Sequence, residues 1–81
     1  MVAIGHNIKM FRERAGISQE DLAFKIRVGT RTIQRYESGE QIPTMQTMLK
    51  ISTALDVPAS ELIREVYYAA PSYLSEKSTD V

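Results

Sequence analysis

The stretch from Ser18 to Gly39 restricts the fold of this chain more than any other, because it has the pattern of two short helices joined by a tight turn. Ser18 is followed three residues later by Asp21, a pair that resembles the capping box at the start of a helix. Gly39 is typical of the residue that ends a helix, so the second helix is predicted from about residue 29 or 30 to Ser38. The helix that begins after Ser18 carries an inner face at helical spacing, made of Leu22, Ala23 and Ile26.

The second of these helices separates its apolar residues from its polar ones. When residues are placed about 100° apart around a helix, Ile33 and Tyr36 point to one side. We expect these two side chains to anchor the helix on the core. The opposite side presents hydroxyl, amide and guanidinium groups, from Thr30, Arg31, Gln34 and Arg35.

These outward side chains have the chemistry that reading DNA requires. Two helices joined by such a turn form a helix-turn-helix, which lays its second helix in the major groove. There Arg donates two hydrogen bonds to guanine, Gln pairs with adenine, and the Thr methyl contacts that of thymine. The stretch from Lys25 to Arg35 holds four basic residues and no acidic one, so positive charge gathers where phosphates would lie. The alternative interpretation is a solvated charged face without a ligand.

The net charge of the whole chain is zero, which by itself argues against a partner as anionic as DNA. The distribution of charge argues otherwise. Residues 1–54 hold eight basic and five acidic residues, whereas residues 55–81 hold two basic and five acidic ones. The basic excess therefore coincides with the predicted helix-turn-helix.

Several classes of protein are disfavoured by what the sequence lacks. The 81 residues contain no cysteine, so neither a disulfide nor a thiolate metal site is available. No signal peptide and no apolar run long enough to cross a membrane are present, so we expect a cytoplasmic protein. The one histidine, His6, has no second histidine beside it, and no glycine-rich phosphate loop occurs. We therefore expect no enzyme, no metal and no cofactor.

The rest of the chain predicts three further helices and no strand, hence an all-α fold, a compact five-helix bundle. The first helix is predicted over about residues 4–15 and the fifth from about residues 58–60 to Ala69. We place the domain in residues 1–69 and a short polar tail in residues 70–81. The fourth helix follows Thr44 and is expected to bury Met45, Met48, Leu49, Ile51, Ser52 and Leu55.

Several motifs appear in the order and at the spacing of one known family. They are Ser18-Gln19-Glu20-Asp21-Leu22-Ala23, Ile33, Tyr36-Glu37-Ser38-Gly39, Ile42-Pro43-Thr44, Leu49-Lys50-Ile51 and Ala54-Leu55-Asp56-Val57. On these residues the chain resembles the phage lambda repressor and Cro type of helix-turn-helix regulator, over about residues 4–66. The resemblance implies a DNA-binding transcriptional repressor with a lambda repressor-like fold, which binds a palindromic operator as a homodimer.

The resemblance also implies roles for individual side chains. Arg12 and Glu37 stand where the family pairs a cation of the first helix with an acid late in the third, a contact that fixes the angle between these helices. Base reading falls on Thr30, Arg31 and Arg35, with Gln34 as a further candidate. The resemblance gives Gln19 a contact to a DNA phosphate, and we expect further phosphate contacts from Ser18, Arg27 and Ser38.

The predicted turn departs from the family's pattern at two positions. Arg27 stands where glycine is usual, and a left-handed backbone there would cost about 1–2 kcal/mol. Gly29 stands where Ser or Thr often caps the next helix, so Thr30 is a candidate for the capping role.

The predicted partners are double-stranded DNA and a second copy of the chain. Relatives of this type bind half-sites about one DNA turn apart as two-fold dimers. Two alternatives stay open: an antitoxin that represses its own operon and binds a toxin through residues 66–81, and a protein-interaction module with the same fold. The dimer surface is expected in the fifth helix and its sequel, which are rich in apolar and aromatic residues: Leu62, Ile63, Val66, Tyr67 and Tyr68.

Overall fold

The computed structural model describes residues 3–64, and this part of the chain forms five helices without a strand. α1 spans Ile4–Arg14, α2 Gln19–Ile26, α3 Thr30–Ser38, α4 Met45–Leu55 and α5 Ala59–Leu62. The all-α, five-helix prediction is confirmed for these residues. Within them, no helix combines the length and the apolar character that crossing a membrane requires.

Local sequence signals set both ends of α2. The hydroxyl of Ser18 accepts a hydrogen bond from the Asp21 N–H at 3.0 Å, and the Asp21 carboxylate accepts one from the Ser18 N–H at 3.1 Å. The capping box is therefore complete. The backbone N–H of Ser18 first, and its side chain second, lower the pKa of Asp21 below its ordinary value. At the other end, Arg27 adopts the left-handed conformation, with φ 62° and ψ 47°.

α3 and α4 begin in different ways. The hydroxyl of Thr44 accepts a hydrogen bond from the Thr47 N–H at 3.2 Å and so caps α4. The residue before α3 is Gly29, which has no side chain with which to cap the helix. Thr30 is the first helical residue of α3 and makes no capping bond there. α3 ends at Gly39, whose φ of 85° suits glycine.

The core lies where α1, α2, α3 and α4 face one another, and α5 closes it against α1 and α4. Small and branched apolar side chains fill it, with one aromatic ring from α3. The buried set is Ile8, Leu22, Ala23, Ile26, Ile33, Tyr36, Met48, Ile51, Leu55 and Leu62.

Two residues predicted to be buried in α4 are exposed instead. Met45 is 60% exposed and Leu49 is 50% exposed. On a helical wheel, with about 100° per residue, they lie about 60° and 100° from Met48, on the side away from Ile51. They therefore form the edge of the apolar arc, where Leu49 lines an open groove with Lys25 and Arg27. The face that is buried consists of Met48, Ile51, Ser52 and Leu55.

The prediction that the fifth helix continues toward Ala69 is wrong, because Ile63, the residue after Leu62, is no longer helical. The helix ends at Leu62, and Ile63 has φ −95° and ψ 7°. The amide of Asn7 on α1 donates to the carbonyl of Leu62 at 2.9 Å and to that of Arg64 at 2.6 Å. A side chain of α1 thus satisfies carbonyls at the end of α5 in place of a further helical turn. Residues 65–69 lie outside the described part.

Candidate nucleic-acid interface

α3 has the two faces that its sequence predicts. Ile33 is fully buried and Tyr36 nearly so, and both pack in the core. The side chains of Arg31, Gln34 and Arg35 are exposed on the other side, and Thr30 is half-buried. Three polar side chains on one short helix therefore face solvent together.

The N-terminal end of α3 has no side-chain cap. The backbone of Gly29 is extended, with φ −76° and ψ 155°, and no side chain accepts a hydrogen bond from the N–H groups of the first turn. The first N–H groups of a helix have no partner within the helix and carry the positive end of its dipole. This end therefore suits an anion such as a DNA phosphate, next to the exposed guanidinium of Arg31.

The C-terminal end of α3 is joined to α1 by an ion pair. Arg12 Nε donates to Glu37 Oε2 at 2.6 Å, and Arg12 Nη2 donates to Glu37 Oε1 at 3.2 Å. The two side chains are only 10% and 4% exposed. The hydrogen bond that Arg12 donates to the Glu37 carboxylate raises the pKa of Arg12. Arg12 Nη1 also donates to the carbonyl of Ile17 at 2.9 Å, so that one guanidinium links α1, the segment before α2, and α3.

Gln19, at the first position of α2, lies between this ion pair and the outer face of α3. Its Nε2 donates to Glu37 Oε1 at 3.0 Å. Gln34 Nε2 lies 3.5 Å from Gln19 Oε1, at the limit of a hydrogen bond. The side chain of Gln19 therefore braces α3. Its amide keeps a second N–H on Nε2, which is available for the predicted contact to a phosphate.

The other three residues predicted to contact phosphates differ in the hydrogen bonds that they already make within the protein. The hydroxyl of Ser18 belongs to the capping box. The hydroxyl of Ser38 donates to the Arg35 carbonyl at 3.1 Å and accepts from the Glu40 N–H at 3.3 Å. Arg27 is exposed at the turn and lines a shallow groove together with Lys25, Leu49 and Lys50. All three phosphate assignments stay predictions.

Arg35 has an acidic neighbour that the predicted reading face did not include. Its Nε lies 3.9 Å from Glu40 Oε2, with both side chains largely exposed. An exposed pair of this length contributes little to stability, so acceptors on a base edge can replace the carboxylate at small cost.

The structure corrects the predicted dimer surface at one residue. Leu62 is fully buried among core residues, so its side chain is not available to a second copy of the chain. The neighbouring Ile63 is 43% exposed and stays a candidate. Val66, Tyr67 and Tyr68 lie outside the described residues.

Two residues of α1 matter that the sequence analysis did not single out. Asn7 binds the end of α5, and Gly5 meets the backbone of α3. A signal for both existed, because Asn7 stands three residues after Ile4, on the same side of the helix, and Gly5 stands two helical turns before Arg12. Residues 3–64 bring together no group of three or more metal-binding side chains.

The chain belongs to the family described as helix-turn-helix, which matches residues 8–62. It is 29% identical to the HTH-type transcriptional regulator ImmR of Bacillus subtilis, over 76% of this chain and 49% of the relative. It is 35% identical to the cryptic phage CTXphi transcriptional repressor RstR of Vibrio cholerae, over 63% of this chain and 46% of the relative. The chain thus spans about half the length of these curated relatives.

Two solved structures support the same assignment. The crystal structure of SinR of Bacillus subtilis, the master regulator for biofilm formation, in complex with DNA matches with a TM-score of 0.71. The two sequences are 34% identical over 75% of this chain and 98% of that one. The P22 c2 repressor, solved with a synthetic operator, matches with a TM-score of 0.73 at 25% identity, over 79% of this chain and 97% of that one. The lambda repressor-like fold predicted from the sequence is confirmed.

Proposed function

We propose that this protein is a transcriptional repressor that binds double-stranded DNA by laying α3 in the major groove. The observation that carries the proposal is the division of α3: Ile33 and Tyr36 fix one face in the core, while Arg31, Gln34 and Arg35 project from the other. The uncapped first turn adds N–H groups that suit a phosphate. RstR is a transcriptional repressor and SinR is solved with DNA, which supports the same function here.

We propose further that the protein acts as a homodimer on a palindromic operator. Four side chains of one short helix contact only a few base pairs, too few to specify a site in a genome. Two copies on half-sites one DNA turn apart, about 34–36 Å, double the contacts. The exposed Ile63 beside the end of α5 supports a dimer surface at this end of the domain. The function is binding rather than catalysis, in the cytoplasm.

Selection of bound sequences from a random pool of DNA duplexes tests this function. We expect the protein to enrich one sequence with two inverted half-sites. The variants Arg31→Ala and Arg35→Ala should each lose discrimination at particular base pairs, by about 1–3 kcal/mol per bidentate contact. Lys9→Ala is the matched control, because it removes the same charge from an exposed site on α1. A pool without any enriched sequence would contradict the proposed function, and an enriched sequence without symmetry would contradict the dimer.

A further inference from the structure

The backbones of α1 and α3 meet at Gly5. A Cβ atom built on Gly5 would lie less than 3.0 Å from the carbonyl oxygens of Tyr36 and Glu37, closer than real Cβ atoms come to other atoms. Both of these groups are backbone and cannot turn aside as a flexible side chain does. Only glycine allows this approach, because it has no Cβ.

The contact at Gly5 falls on the same turn of α3 as the ion pair. Gly5 precedes Arg12 by seven residues, which is close to two helical turns, so both lie on one face of α1. Arg12 holds the carboxylate of Glu37, while Gly5 lies against the carbonyls of Glu37 and Tyr36. α1 therefore fixes the last turn of α3 by a backbone contact at one point and a side-chain contact at another.

We propose that Gly5 is a positioning residue, which sets the tilt of α3 and thereby the base pairs that α3 can discriminate. The inference rests on the proposed function, because it concerns how the helix reads DNA. Gly5 lies on the side of α3 that is held by α1, away from the exposed Arg31 and Arg35. Its effect on binding passes through the direction of the helix axis.

A side chain at Gly5 would displace the two ends of α3 by different distances. A methyl group at Gly5 needs a non-bonded separation of about 3.5 Å, so the last turn of α3 has to move by roughly 1 Å. At 1.5 Å per residue, Tyr36 lies about 9 Å along the axis from Thr30. The turn before α3 is the pivot, because Val28 packs against the core and its N–H donates to the Ala23 carbonyl, so this shift tilts the helix by about 6°. Arg35, near the displaced end, moves by almost the full distance, whereas Thr30 hardly moves.

Hydrogen bonds to base edges do not tolerate such a shift. Donor-to-acceptor distances in good hydrogen bonds vary over only about 0.5 Å, and a bidentate contact has to satisfy two at once. Phosphate attraction depends less on geometry and supplies most of the affinity for non-specific DNA. A tilt should therefore relax base discrimination near Arg35 while it preserves binding to random DNA.

The test compares Gly5→Ala with the wild type in duplex selection and in titrations of single-base operator variants. We expect Gly5→Ala to lose about tenfold or more of its discrimination at the base pairs that Arg35→Ala also relaxes. Discrimination at base pairs that Thr30→Ala relaxes should be retained, and affinity for a random duplex should be unchanged. Val57→Ala, in the half-buried link between α4 and α5, controls for a general loss of stability and should change no base preference.

Each other outcome counts against the proposal in a distinct way. Equal loss at all base pairs, or no loss at any, would show that Gly5 does not set the tilt of α3. Failure of Gly5→Ala to fold, measured by circular dichroism, would also overturn the proposal, because α3 would then be unable to tilt away from the methyl group. A wild-type protein that selects no sequence would overturn the proposed function itself. Duplex selection with the wild type is therefore measured before the variants.

Discussion

The two ends of α3 differ in what holds them. The C-terminal end is tied to the protein through the Arg12–Glu37 ion pair, the Gln19 amide and the backbone contact at Gly5. The N-terminal end begins at Gly29 without a side-chain cap. The protein therefore fixes the direction of the helix at one end and leaves polar groups at the other end for a ligand.

This difference separates stability from binding within nine residues. Contacts at the C-terminal end are buried, so their loss should appear in the free energy of unfolding. Groups at the N-terminal end and on the outer face are exposed, so their loss should appear in DNA affinity alone. Substitutions at the two ends of α3 test that separation.

Breaking the ion pair should destabilise the protein most. Arg12→Ala leaves the carboxylate of Glu37 buried without its main partner, which we expect to lower the free energy of unfolding by about 3 kcal/mol. Urea denaturation measures this loss. The second substitution Glu37→Leu in the same chain should restore most of it, because no buried charge is then left over. A loss no larger than that of the exposed Lys9→Ala would show that the C-terminal end of α3 does not depend on this pair.

Removing an exposed cation of α3 should have the opposite signature. Arg35→Ala should weaken binding to the selected operator about 10-fold to 100-fold, which corresponds to about 1–3 kcal/mol, through the loss of a base contact. The melting temperature should stay within about 2 °C of the wild-type value, because Arg35 makes only a long, exposed contact to Glu40. Fluorescence anisotropy and thermal melting measure the two quantities. Unchanged affinity for the operator would remove Arg35 from the reading face.

The left-handed turn before α3 offers a smaller effect on stability. Arg27→Gly should stabilise the fold by about 1 kcal/mol, because glycine adopts the left-handed conformation without strain. Asp56→Gly is the matched control, since Asp56 is the other non-glycine residue with positive φ in residues 3–64 and follows α4. If Arg27 contacts a phosphate, only Arg27→Gly should reduce the salt dependence of DNA binding, by about one unit of slope. Equal salt slopes for the two variants would exclude that contact.

The capping box of α2 predicts a weak dependence of stability on pH. The folded-state pKa of Asp21 is lowered, so its contribution is fully present above the ordinary carboxyl pKa and is lost as the pH falls through the folded value. The melting temperature of the wild type should therefore fall more steeply below about pH 4 than that of Asp21→Asn. Glu20→Gln, a neighbouring exposed acid, is the control. Parallel pH curves for all three proteins would contradict the role of Asp21 as a cap.

The sequence alone predicts those features of the fold that depend on residues close together in the chain. The capping box of Ser18 and Asp21 is a pair three residues apart, and the inward pair Ile33 and Tyr36 follows from the period of the helix. The left-handed Arg27 could be anticipated from the position of the turn. These features depend on neighbours within one helix or one turn.

Features that depend on distant residues could not be predicted in the same way. The end of α5 is decided by Asn7, which stands 55 residues away from Leu62 in the sequence. The exposure of Met45 and Leu49 depends on how far α2 and α5 cover α4. A helical period shows which residues share a face, but the packing partner decides where that face stops.

α3 is held by the buried contacts of its last turn and meets DNA through its first turn and its exposed face, which carries Arg31, Gln34 and Arg35. Backbone amide chemical shifts of the isotope-labelled protein, recorded by NMR during titration with the selected operator, test this arrangement most directly. We expect the largest shift changes in the first turn of α3, from Gly29 to Arg31, and little change in the shifts of Tyr36 and Glu37. Largest changes in the groove of Lys25, Leu49 and Lys50, with the first turn of α3 unaffected, would contradict it.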